Sequence, residues 1–313
     1  MMISSEPYAV NVSSIQDYMQ CRYRWVCKWV LNRVPRNEGP ALTAGKLLHQ
    51  IFEGHFRSGK PLVEVADHWI REHIEAGQAL TDVEREYTAK AIQQVVDLQE
   101  ALPLWRDQYP VEGTLEVEEP FELLLSQYPG ILWKGRPDRV VTCMGSVWHC
   151  QNRGLAASLN FGVYVQLAKR HYHEHLYAES LSREYPGLPY GGTLFNLVRK
   201  LKYRTNVGKS NEKTKTAEEM FWQHPMSVNL NGYLHREVMG AMYQHVLDMI
   251  ETEQAYRSYG TYPAPNEEQN GGFSGNSIDP YFRVLISEVE LSDDRYFKDR
   301  EELYVDNDAR REE

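Results

Sequence analysis

The chain has 313 residues, 42% of them hydrophobic, and a formal net charge of −10. That is enough apolar material for one large core or a core domain with a helical appendage, and the acidic balance argues against an unspecific coat for nucleic acid while leaving room for a local basic groove. No basic flank leads into an apolar run at the N-terminus and no stretch of about 20 apolar residues occurs, so neither a signal peptide nor a membrane span is expected.

In chain order, Ser13 with Gln16 three residues on reads as a capping box, and Ile15, Tyr18, Met19, Val26, Trp29 and Val30 recur at helical spacing until Pro35 and Gly39-Pro40. A second helix is expected from about Leu42 to Gly59, a third over Leu62–Gly77 and a fourth over Leu80–Leu102. Strand signals follow. "GTLEVEEPFELLL" alternates and then turns apolar, Tyr128-Pro129-Gly130 makes a turn, and "ILWKGRPDRVVTC" and "SVWHCQNR" come next. A long helix is expected over Phe161–Tyr185, then a strand in "GGTLFNLVRKLKY", a loop over 205–216, a helix over Leu234–Tyr259 and an acidic tail from Leu291. Helices, three strands, a helix, a strand and a helix make an α/β (α+β) layout around a small central sheet.

The hairpin around Met144-Gly145 carries the chemistry. A two-residue turn makes partner numbers sum to 289 and sets Asp138 opposite Gln151; a turn with a glycine bulge slips that pairing by one. The two-residue period puts Gln151 and Arg153 on one face and Asn152 on the other. An acid, a neutral acceptor and a cation therefore converge at one strand end. For an isolated Asp and Arg, a salt bridge at a sheet edge is the ordinary reading. Similarly, a lone helical histidine such as His49 or His173 is more often a packed or surface residue than a ligand.

Taken together, Cys21 after the first helix, Gly45 with His49 one turn on, Asp138, Gln151-Asn152-Arg153, and His173 with Tyr177 resemble the RecB-type branch of the PD-(D/E)xK nuclease superfamily. That group includes CRISPR adaptation nucleases and phage exonuclease-like proteins, and the resemblance runs from about Ser13 to Phe282. It implies a restriction-endonuclease-like core with a small mixed sheet flanked by helices. Residues 1–110 would form an N-terminal helical part with the GxxxH motif, 111–290 the nuclease core, and 291–313 the tail. It also implies a metal-dependent DNA nuclease, of exonuclease type, acting at DNA ends or single strands in phage or bacterial recombination, with a recombination protein as a possible partner.

By that resemblance His49, Asp138, Gln151 and the Asn152 carbonyl would hold Mg²⁺ or Mn²⁺, and Asp138, Gln151 and Arg153 would form the catalytic set. His173 and Tyr177 would position the strand. Three positions depart from the pattern. Gln151 replaces an acid, so it can coordinate a hard cation only without charge. Arg153 replaces a lysine, so it can stabilise charge but cannot act as a base. His173 stands where a glutamine is usual. The alternative reading is a weakened relative that binds DNA or a protein partner. Many relatives carry an iron–sulfur cluster, but "NSIDPYFRV" has Asp279 where a cysteine would stand and no cysteine follows Cys150, so no cluster is expected. Cys21, Cys27, Cys143 and Cys150 form no CxxC pair, which fits a reducing, cytoplasmic compartment.

Residues 199–215, "RKLKYRTNVGKSNEKTK", hold seven Lys or Arg against one Glu. Such a run is either a solvated loop or a track for phosphates, in which case Arg199, Lys200, Lys202 and Arg204 would contact DNA.

Overall fold

The computed structural model describes residues 6–35, 40–75, 85–86, 88–89, 92, 109–155, 161–199, 221–263, 291–292 and 297–299, with the main chain alone at 40–46, 73–75, 153–155, 198–199, 221 and 297–299. Most of the expected fourth helix, the 205–216 loop, "NSIDPYFRV" and nearly all of the acidic tail lie outside these residues. The chain divides into one unit made of 1–38, 122–134 and 240–313 and another made of 39–121 and 135–239.

In the first unit, strand β1 (Tyr8–Asn11) runs parallel to β5 (Ile131–Gly135), which also pairs with β4 (Phe121–Leu124). Helix α1 (Val12–Gln20) is capped two residues earlier than expected: Asn11, not Ser13, accepts from the Ser14 N–H at 2.8 Å. Ser14 is instead turned inward, and its hydroxyl accepts from the Trp25 indole at 2.9 Å. A short helix α2 (Arg22–Trp25) leads into a π-helical turn at Val26–Val30 and then strand β2 (Arg33–Pro35). Asp17 receives Lys28 Nζ at 2.7 Å and the Trp29 indole at 2.8 Å, which ties that turn back to α1. Cys21, Cys27, Cys143 and Cys150 are all buried thiols.

The second unit is built on a five-stranded sheet of order β3-β6-β7-β8-β9, from Val111–Val117 (β3), Arg139–Cys143 (β6), Ser146–Leu155 (β7), Tyr190–Arg199 (β8) and Phe221–Met226 (β9). Strands β7 and β8 are parallel and the other pairs antiparallel, so the sheet is mixed. The content and topology are those of the expected restriction-endonuclease-like α+β layout. The β6–β7 turn has Met144 at φ 52° and Gly145 at φ 69°, two left-handed residues, as a tight primed turn requires. Partners therefore sum to 289, from Cys143↔Ser146 to Arg139↔Cys150.

Three expected elements are broken, the two strands at a proline and the helix at an extended histidine. "GTLEVEEPFELLL" splits into β3 and β4 around Glu118-Glu119-Pro120, and "ILWKGRPDRVVTC" splits into β5 and β6 around Arg136-Pro137-Asp138. Proline has no N–H for a ladder, so the strand ends there. The helix expected over 161–185 is two, Phe161–Ala168 (α5) and Tyr172–Glu184 (α6), with an extended His171 between. At that break the Lys169 carbonyl accepts from His175 Nε2 at 2.8 Å.

These two helices cover one sheet face. Leu181 of α6 packs on Val140 and Val147, and Val165 and Ala168 of α5 pack on Phe195, Leu197 and Met226. The opposite face is apolar at Val141, Cys143, Trp148, Cys150 and Leu194. Helices Pro40–Ser58 (α3) and Leu62–Glu75 (α4) precede the sheet, and Tyr233–Tyr259 (α7) follows it.

Candidate metal centre

The site forms where α3, the end of β3 and the loop before β6 meet. Leu47, Ile51 and Phe52 bury one face of α3, and His49, between them in sequence, keeps 42% of its side chain exposed. Arg57 near the end of α3 donates to the Val117 carbonyl at 2.7 Å and so fastens the helix to the last residue of β3.

The next residue, Glu118, has φ 54°. A left-handed glutamate is uncommon and costs about 1–2 kcal/mol relative to its ordinary conformations. The peptide is held there from both sides: Arg57 takes the Val117 carbonyl, and the Glu118 N–H donates to the Asp138 carbonyl at 3.2 Å. The turned main chain places a buried carboxylate beside Asp138, with Arg136 Nε donating to its Oε2 at 3.0 Å.

Asp138 lies in the break before β6, not on a strand as expected. Its Oδ2 accepts from the Asn152 N–H at 2.9 Å and stands 4.0 Å from His49 Nδ1. One ligand atom from each of His49, Glu118 and Asp138 lies within 4.8 Å of the others. One imidazole nitrogen and two carboxylates at that spacing could hold a single divalent cation with bonds of about 2.1 Å once the donors close in by roughly an ångström.

β7 continues past the end of its β6 partner. The last β6 pair is Arg139↔Cys150, while pairing with β8 runs on to Leu155↔Arg199. In a strand, one residue's N–H and C=O point the same way. The Asn152 N–H faces Asp138, so its main-chain carbonyl faces the site as well. The Asn152 side chain is engaged elsewhere, its Oδ1 accepting from Asn196 Nδ2 at 2.9 Å.

Gln151 is buried and shares its strand face with Val147 and His149, under α6. The side chains of Arg153 and Arg199, and all of Lys200, Lys202 and Arg204, lie outside the described residues. Tyr177 is buried, and its hydroxyl donates to the Arg136 carbonyl at 3.0 Å, so it braces the loop that carries Asp138. Gly135 lets that ring close in: a Cβ there would sit 2.8 Å from Tyr177 Cε1. His173 is half-buried beside Tyr177, with ring centroids 5.8 Å apart.

Glu118 is the residue that sequence reasoning missed. In an alternating strand it reads as an outward-facing charge. The available signal was a pair of glutamates directly before Pro120, where the strand had to break.

Residues 9–149 match the family model of the PD-(D/E)XK nuclease superfamily. The match spans His49, Glu118 and Asp138 and ends two residues before Gln151. It supports metal-dependent nuclease chemistry. No curated protein matches the chain. Among the described residues no helix is long and apolar enough to cross a membrane.

Proposed function

We propose that the protein is a metal-dependent DNA nuclease of the RecB-like type that trims DNA ends in phage or bacterial recombination, in the cytoplasm. The observation that carries the reading is the meeting of His49, Glu118 and Asp138 within 4.8 Å, inside the segment matched to the nuclease superfamily. These three residues would hold Mg²⁺ or Mn²⁺, with the Asn152 main-chain carbonyl beside them. Gln151 in the register position opposite Asp138 would add a neutral contact.

Glu118 answers the loss of charge at position 151. Two carboxylates remain in the set, one from the loop before β6 and one from the end of β3. When bound, the ion would polarise a phosphoryl oxygen and activate water. Arg153 would stabilise charge as it develops on the phosphate. Tyr177 holds the Arg136-Pro137-Asp138 loop, His173 would face the strand, and Arg199, Lys200, Lys202 and Arg204 would track its phosphates.

The neutral Gln151 favours a second reading, a weakened relative that binds DNA ends without cutting them efficiently. An assay on end-labelled single- and double-stranded DNA with Mg²⁺, Mn²⁺ or EDTA separates the two. The first reading requires metal-dependent mononucleotide or short-fragment release. Binding without cleavage in either metal favours the second.

A further inference from the structure

The geometry points to Asn196 and Gln223 as positioning residues for this site, acting through Asn152; the inference rests on the metal-site reading above. Asn152, Asn196 and Gln223 are register partners across β7, β8 and β9. Their amides form a ladder: Asn196 Nδ2 donates to Asn152 Oδ1 and Gln223 Nε2 donates to Asn196 Oδ1, both at 2.9 Å. All three are at least 95% buried.

The neighbouring residues on that face, Trp148, Cys150 and Leu194, are apolar, so leucine would suit these positions better for burial alone. What the ladder adds is register. Alternating apolar residues exclude a slip of one residue, because every side chain would change face. They do not exclude a slip of two. A two-residue slip of β7 against β8 would leave apolar groups facing apolar groups but strand the buried amides without partners, which disfavours the slipped register.

The lock sits where it is needed. From Gln151 onward β7 has lost its β6 partner, and among the described residues its ladder pairing is with β8. Asn152 is the second residue of that overhang. Its side chain is held by Asn196, its N–H holds Asp138 Oδ2, and its carbonyl faces the site. The amides therefore set the height of the overhanging strand against Asp138, and with it the spacing of the donor set.

The test uses the full chain and Mn²⁺ alone, with affinity read by electron paramagnetic resonance of the free ion and folding by thermal melts in EDTA. One variant carries Asn196→Leu with Gln223→Leu, which leaves Asn152 without its partner. The other adds Asn152→Leu, so that no amide remains to be desolvated and the face becomes apolar throughout. The triple variant is expected to melt at or above the wild-type temperature, because replacing all partners of a buried polar network is nearly neutral or stabilising. Both variants are expected to bind Mn²⁺ about 10–100-fold more weakly, the usual loss when a group that orients a metal ligand is removed. A folded triple variant that binds Mn²⁺ within twofold of wild type overturns the positioning role and leaves the metal site standing. Absence of Mn²⁺ binding by the wild type overturns both.

Discussion

Replacing Glu118 with glycine separates the strain at this position from its use. Glycine takes φ 54° without penalty, so Glu118→Gly relieves about 1–2 kcal/mol. Against that stands the lost pair with Arg136, whose side chain is 46% exposed and can be solvated, a cost of about 0–1 kcal/mol. The greater freedom of glycine in the unfolded chain costs roughly another 0.5–1 kcal/mol. These terms nearly cancel, so the metal-free variant should be as stable as wild type within about 1 kcal/mol.

Metal binding should respond differently. At a Mn²⁺ concentration of about 100 times the wild-type Kd, the ion adds about 2.7 kcal/mol to stability. Losing one of two anionic ligands weakens binding by at least about 100-fold, which leaves about 0.4 kcal/mol at the same concentration. For a chain of this size, about 2 °C per kcal/mol gives a rise of roughly 5 °C for wild type and under about 1 °C for the variant. The assay is a pair of thermal melts, in EDTA and in Mn²⁺. A variant that keeps the full Mn²⁺-induced rise, or that loses more than about 2 kcal/mol in EDTA, refutes the assignment of Glu118.

Two further outcomes follow from the same geometry. The set contains an imidazole nitrogen, and Mg²⁺ dehydrates reluctantly and prefers oxygen, so cleavage should be faster in Mn²⁺; equal or faster cleavage in Mg²⁺ across a concentration series contradicts the donor set. For pH, burial holds the His175 imidazole below its ordinary range, and the hydrogen bond from His235, at 2.9 Å, holds the Glu179 carboxyl below its own. Both groups bind protons more weakly folded than unfolded, so stability is full above the unfolded values and is lost as pH falls, first below about 6.5 for His175 and then below about 4.3 for Glu179. Thermal melts from pH 8 to about 3 should show both losses, and His175→Gln should remove the first; a wild-type melting temperature that stays flat between pH 7.5 and 5.5 would contradict this.

The hairpin was legible to within one residue: a two-residue turn makes partners sum to 289, a glycine bulge slips that by one, and the observed pairs from Cys143↔Ser146 to Arg139↔Cys150 follow the first count. The helix carrying His49 and the α+β order were legible from periodicity. The breaks were not, because the alternation of Leu115, Val117, Phe121 and Leu123 runs straight across Glu118-Glu119-Pro120, and Arg136-Pro137-Asp138 joins two apolar runs, while Pro120 and Pro137 end the ladders. Glu118 depends on that break: its place beside Asp138 comes from a left-handed main chain that Arg57 and Asp138 hold from different elements. Tyr177 was singled out for the DNA strand, yet its hydroxyl is spent on the Arg136 carbonyl, a contact across 41 residues that spacing within α6 does not reveal. The Asn152–Asn196–Gln223 ladder was hidden for the same reason. Each amide alone is an ordinary polar residue in a strand, and only the pairing of β7, β8 and β9 aligns them.

The most direct test of the nuclease reading is the single-turnover rate of end-labelled DNA cleavage in Mn²⁺ for wild type, Asp138→Ala and Gln151→Glu. Asp138 supplies a carboxylate and also carries the hydrogen bond from Asn152. The reading predicts metal-dependent cleavage by wild type, loss of cleavage in Asp138→Ala, and an equal or higher rate in Gln151→Glu, which adds charge to the site. Cleavage by Asp138→Ala at the wild-type rate would contradict it and leave the His49, Glu118 and Asp138 cluster a structural arrangement of charges.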